Sequence, residues 1–172
     1  MKTLSKAAAK VLDILTDGLN NPGDSRKIDN SSFMAVHVEM IGKDASGPLF
    51  SVAHYFVQNG DMCCDPDMVF LRAHDGAYLP VSFQQAIPPV YQEAMDLQND
   101  TFRPRLMAQL ARFANTWMKN IKNQQGLKAA RAPKAVRKVV EAPVVVEAPA
   151  REPLPRAQRA LFGNMNQMSL AL

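Results

Sequence analysis

An α+β fold is predicted: a helix, an antiparallel meander sheet of four or five strands and a longer helix, with a disordered tail behind them. Two observations carry this. Apolar residues recur at helical spacing between Leu4 and Leu19 and again between Leu106 and Ile121, whereas between Phe33 and Phe83 they fall in short alternating runs separated by turn formers. A third observation sets the domain limits. Beyond Gly126 the chain turns into Ala-Pro, Glu-Pro and Leu-Pro pairs with scattered charges, so residues 1–125 are expected to form the globular domain and 126–172 the tail.

In the first helix Leu4, Ala8, Val11, Leu12, Leu15 and Leu19 make one apolar stripe, and Lys6, Lys10, Asp13 and Asp17 fall largely elsewhere. The helix is expected to end near Gly18, because Asn20-Asn21-Pro22-Gly23-Asp24 is dense in turn formers. Strands are predicted at Phe33–Ile41 and Leu49–Val57, then, after the turn Gln58-Asn59-Gly60-Asp61, at Met68–Leu71, and after Asp75-Gly76 at Tyr78–Phe83. Such short connections favour a meander. Pro88-Pro89 interrupts the chain before Val90–Met95, which suits a fifth strand better than a short helix. In the second helix Pro104 fits the first turn, Leu106, Leu110, Phe113, Trp117 and Ile121 form the buried stripe, and Gly126 stops it. Phe113 and Trp117 are read as core residues, in preference to a stacking platform for bases.

The charge is unevenly divided. Up to Gln125 there are 12 Lys and Arg against 13 Asp and Glu, while Gly126–Leu172 carries eight against three. The folded part shows no sequence cluster of cations of the kind that grips duplex DNA; the tail allows weak, salt-sensitive contact with nucleic acid. No apolar run approaches a membrane span or a signal-peptide core, so a cytoplasmic protein without membrane contact is expected. Cys63 and Cys64 are adjacent and are read as reduced thiols. No cofactor signature is present and none is expected.

Several blocks, in order along residues 28–127, resemble a family of small proteins of unassigned function carried by bacterial plasmids, integrative elements and phages. They are Phe33-Met34 with Val38-Glu39, Ser51–Tyr55, Gln58–Asp61 with Asp65–Met68, Pro80–Gln84, Tyr91–Glu93, and Phe113–Trp117 with Asn120 and Gln125-Gly126. Gln85-Ala86-Ile87 departs from the pattern, where a more polar turn with an Asp is expected, and Gln124-Gln125-Gly126 is one residue longer than usual. The resemblance implies a mobile-element origin and an accessory role, and supplies no reaction.

Chemistry is sparse in the folded part. His54, Asp61, Asp65, Asp67 and Glu93 are the polar group to test as ligands of a divalent cation in a metal-dependent hydrolase. Their spacing matches no fixed metal motif, and the competing structural interpretation, in which the Asp residues cap turns and His54 is a partly buried strand residue, is preferred. No nucleophile motif or phosphate-binding glycine loop is present, so an enzyme is the alternative and a non-enzymatic role the main expectation.

The tail holds the sharper signal. Gln167-Met168-Ser169-Leu170-Ala171-Leu172 resembles the hexapeptide form of the bacterial DNA sliding-clamp-binding motif, and Gln158-Arg159-Ala160-Leu161-Phe162 is a poorer likeness of its pentapeptide form. A peptide docking in a preformed groove needs one polar anchor for orientation and apolar anchors for pockets. Gln167 supplies the first, Met168, Leu170 and Leu172 the second, and Gln158, Leu161 and Phe162 repeat the scheme. The expectation is an accessory protein that binds the host replication clamp through this peptide.

Overall fold

Ser5 opens the first helix: its hydroxyl accepts the Ala8 N–H at 3.3 Å, meeting one of the backbone donors left over in a first turn. The computed structural model of the protein describes residues 2–127. In it helix α1 spans Lys6–Thr16 and is followed by β1 (Ser25–Ile28), β2 (Val36–Asp44), β3 (Gly47–Gln58), β4 (Asp61–Arg72), β5 (Tyr78–Gln85), β6 (Val90–Glu93), β7 (Met95–Asp96), β8 (Thr101–Phe102) and α2 (Pro104–Gln124). Strands β1 to β6 pair in chain order as one antiparallel meander, and β7 and β8 form a separate two-stranded ribbon.

The helix–meander–helix order is as expected, with six strands in the sheet in place of four or five. The additional strand is β1, whose four residues Ser-Arg-Lys-Ile are too short and too polar to show as an alternating run. The first expected strand begins later, at Val36, leaving Phe33 and Met34 exposed before it. Val90–Glu93 is a strand, and the extended chain after Ala94 leaves the main sheet to build the ribbon. The third strand is much longer than Met68–Leu71: Asp61–Asp67 continues the β3–β4 ladder through a bulge between Ala53 and Tyr55. Asp65-Pro66-Asp67 therefore lies within a strand and not in a turn. Pro66 has no N–H to give to a ladder, and a bulge is where a strand tolerates it.

The Asn59-Gly60 turn between β3 and β4 has positive φ at both residues, 55° and 89°, as a two-residue hairpin of this twist requires. Gly47, at the start of β3, has φ +142°, and a Cβ there would stand 2.0 Å from the Arg72 carbonyl oxygen on the neighbouring strand.

Period-two alternation sends Val36, Val38 and Met40 of β2, Phe50, Val52 and His54 of β3, and Met68 and Phe70 of β4 to one face, where cross-strand partners such as Val38 with Val52 and Phe50 with Phe70 stand side by side. These apolar side chains form one core with Leu12 and Leu15 of α1 and Met107, Leu110, Met118 and Ile121 of α2. Both helices thus cover the same face. Trp117 belongs to this core, whereas Phe113 is 41% exposed, which corrects its assignment to the buried stripe; it meets Phe83 edge-on at 5.3 Å at the margin of the helix layer. Arg26 of β1 donates to the Ile14 and Asp17 carbonyls, where the positive guanidinium meets the negative end of the α1 dipole.

Tyr78, fully buried, joins sheet to helix by donating to the Asp13 carboxylate at 3.1 Å, with Thr16 Oγ1 at 3.2 Å and the Arg72 guanidinium over its ring. Burial pushes its phenol from 10.0 up to about 12. The folded phenol keeps its proton where the unfolded one has lost it, so stability falls as pH rises from about 10 through about 12. Tyr78→Phe should cost about 1 kcal/mol near neutral pH through the lost hydrogen bond. It should also flatten the alkaline decline, both effects being measurable by urea unfolding across this pH range.

Candidate functional site: the open face of the sheet

Because both helices lie on one side, the other face of the sheet is left to residues of opposite parity. Two rows run across it. The first is Lys27, His37, Ala53, Asp67, Gln84 and Tyr91, each paired with the next on the neighbouring strand; the second is Ser25, Glu39, Ser51, Val69, Ser82 and Glu93. Period-two alternation along β3 puts Tyr55 on this same face, where its ring meets His37 edge-on at 5.1 Å. An open depression of about 210 Å³ lies over this end of the sheet, lined by Ser25, Lys27, His37, Glu39, Ser51 and Tyr55 among others.

Asp67 is the half-buried centre of the polar group. Ser51 Oγ donates to its carboxylate at 2.7 Å. Burial pushes the Asp67 carboxyl above its usual range, and the Ser51 hydrogen bond works in the opposite direction. The Tyr55 phenol is pushed up by burial and by the charges of Asp67, Cys64 and Glu39. The Cys64 thiol is pushed up by burial and by Asp67, which keeps it protonated and a poor nucleophile. His37 is pushed down by burial and by Lys27, so it is a neutral imidazole near pH 7. Tyr91, beside Glu93, is pushed up by burial first and by that carboxylate second.

This arrangement is a hydrogen-bonding surface of phenols, hydroxyls, carboxylates and one neutral imidazole. Ser51 is held by the Asp67 carboxylate with no imidazole between them.

The five residues considered as metal ligands do not come together. His54 is buried on the helix side, its Nδ1 2.9 Å from the Ala35 carbonyl and its ring edge-on to Trp117, while Asp67 points from the opposite face. Glu93 shares the face of Asp67 but stands on β6, two strands away and thus roughly 9–10 Å off. Asp61 is at the β3–β4 turn and Asp65 is exposed beside the bulge. Among the described residues no three His, Cys, Asp or Glu side chains are grouped to hold a metal ion. Strand parity is the reason: residues at odd separation, such as Ala53 and His54, face opposite ways. Cys63 and Cys64 are both free thiols.

His37, Glu39, Ser51 and Tyr55 escaped the sequence analysis. Their odd numbering in β2 and β3 is the signal that could have grouped them, once Val36, Val38 and Met40 are placed inside. Gln158, Leu161, Phe162, Gln167, Met168, Leu170 and Leu172 lie outside the described residues.

Asp67→Asn should raise stability near neutral pH by on the order of 1 kcal/mol, a figure that allows for screening by solvent at a half-open site. Asn can still accept from Ser51 but carries no charge. The raised carboxyl keeps its proton in the folded chain after the unfolded chain has lost it, so the wild type loses stability as pH rises from about 3.8 upward, and the variant should not. Urea unfolding of both proteins in acid and near neutrality checks this.

What fold and face define is an α+β domain: a six-stranded antiparallel meander backed by two helices, with a polar open face. Residues 8–127 match the family described as Domain of unknown function (DUF6908), and the chain belongs to that family. Comparison with curated proteins and with solved structures gives no match. Among the described residues no helix is long and apolar enough to cross a membrane.

Proposed function

We propose that this is a non-enzymatic accessory protein of a mobile genetic element that binds the bacterial DNA sliding clamp through Gln167–Leu172 and thereby presents its folded domain at the replication machinery. The observation that carries the proposal is the hexapeptide itself, an amide followed at fixed offsets by Met168, Leu170 and Leu172. Burying each of these aliphatic side chains is worth roughly 1.5–3 kcal/mol before the ordering of the peptide is subtracted, which sets micromolar affinity as the expectation. The likeness of residues 28–127 to proteins of plasmids, integrative elements and phages supports the mobile-element part. A polar sheet face agrees with a role in binding.

Competition tests it. The full chain is bound to an immobilised bacterial clamp and a synthetic peptide spanning Gly163–Leu172 is added. Displacement by this peptide, and not by one carrying Gln167→Ala, is the expected result; a chain that stays bound in excess peptide, or never binds, contradicts the proposal.

A further inference from the structure

The folded part has no run of cations in its sequence, yet the structure gathers four. Lys6 and Lys10 stand one turn apart on α1, Lys119 and Lys122 one turn apart on α2, and all four line a groove between the two helices. The groove is an open cleft of about 690 Å³, with Ala7, Val11 and Ile14 among its apolar residues and Asn115 and Asn123 among its polar ones. Asn115 Oδ1 accepts the Ser5 N–H at 2.9 Å, which pins the start of α1 to α2. Among the described residues no acidic side chain lines the cleft. Among the described residues the ion pairs are Lys27–Asp29 and Arg72–Asp13, so none of the four lysines has a carboxylate partner there. Helix α2 contains no acidic residue at all.

We propose that this groove is a docking site for an acidic amphipathic helix of a partner protein, its apolar stripe laid on the exposed Ala7 and half-buried Ile14, with Val11 buried beneath them, and its flanking Glu or Asp side chains meeting the four lysines. The inference is independent of the clamp reading, which rests on residues elsewhere. Three features select this occupant. The apolar residues favour a ligand with an apolar stripe, which a phosphate backbone lacks. Residues 126–172, with eight cations to three anions, are repelled by the same lysines that would have to hold them, and a second copy would set lysine groove against lysine groove. The lining stretch of α1, from Ser5 to Ile14, is roughly 14 Å long at the helical rise, enough for two to three turns of a docked helix.

The test uses the full chain and designed helical peptides about four turns long, followed by fluorescence anisotropy. One peptide has leucines along a single stripe flanked by glutamates; a second has the glutamates replaced by lysines; a third has the leucines replaced by glutamines; a short DNA duplex is the fourth probe. The first should bind saturably, and the second and third at least about tenfold more weakly. Lys10 and Lys119 are exposed, so Lys10→Glu with Lys119→Glu should leave the circular dichroism spectrum and melting unchanged. That variant should lose about tenfold in affinity for the acidic peptide and gain affinity for the lysine-flanked one. The proposal is overturned if the acidic peptide does not saturate, if all three peptides bind alike, if the double variant binds it undiminished, or if the duplex outcompetes it.

Discussion

Replacing Gly47 by alanine should destabilise the domain by roughly 3 kcal/mol or more, enough to unfold a marginally stable protein, while a glycine-to-alanine change at Gly23 or Gly60 should be far milder. At Gly47 two independent costs meet. The φ of +142° belongs to a region that side chains with a Cβ rarely enter, and the added atom would stand 2.0 Å from the Arg72 carbonyl oxygen and 3.1 Å from its carbon. The obstructing atoms are backbone, fixed by the β3–β4 ladder that pairs Leu49 with Leu71, so no rotamer change relieves the clash. Either the first residues of β3 detach from β4 or β4 is displaced, and β4 carries the fully buried Met68 and Phe70. At Gly23 and Gly60 the positive φ remains but nothing lies within 4 Å of the added carbon, so only the conformational cost applies. Chemical denaturation of the three variants separates the two contributions.

Gln167→Ala combined with Leu170→Ala should weaken clamp binding by more than about a hundredfold and leave the thermal melting of the domain unchanged. The peptide has few anchors, so removing the amide that sets its orientation and one of its three aliphatic side chains removes most of what exceeds the ordering cost. The folding part follows from position, since among the described residues the buried core is built from Leu4 to Ile121, with Leu127 packed against it, and both substitutions lie far along the chain from these.

Both helices were legible because their apolar stripes are what the sheet needs: Leu4, Ala8, Val11, Leu12, Leu15 and Leu19 are all buried, and so are Leu110, Trp117 and Ile121. Phe113 sits on the same sequence stripe and still emerges at the margin, because the width of the covered surface depends on where the sheet ends. Asn59-Gly60 announced its hairpin through local chemistry alone. By contrast β1 is recruited by its partner: Ser25, Arg26, Lys27 and Ile28 gain a ladder against Val36–Glu39 that their own preferences do not demand. The extension of β4 through Cys63–Asp67 was hidden because Asp and Pro carry turn signals, which pairing across a bulge overrides.

The two candidate surfaces differ in the same way. That His37 and Glu39 share a face can be read from parity within β2, but their proximity to Ser51, Tyr55 and Asp67 depends on cross-strand register. The lysine groove requires the packing of two helices at opposite ends of the domain sequence, so no local window contains it. Conversely, His54 and Asp67 suggested a metal site because both are chemically apt, and the pleat of the sheet separates them.

The central claim, that this protein engages the sliding clamp through Gln167–Leu172, is tested most directly by calorimetric titration of the full chain into a purified bacterial clamp, with the Gln167→Ala, Leu170→Ala double variant run alongside. Saturable binding in the micromolar range that the double variant loses is the predicted result. Absence of a binding isotherm for the wild type, or the same isotherm for both proteins, would contradict it.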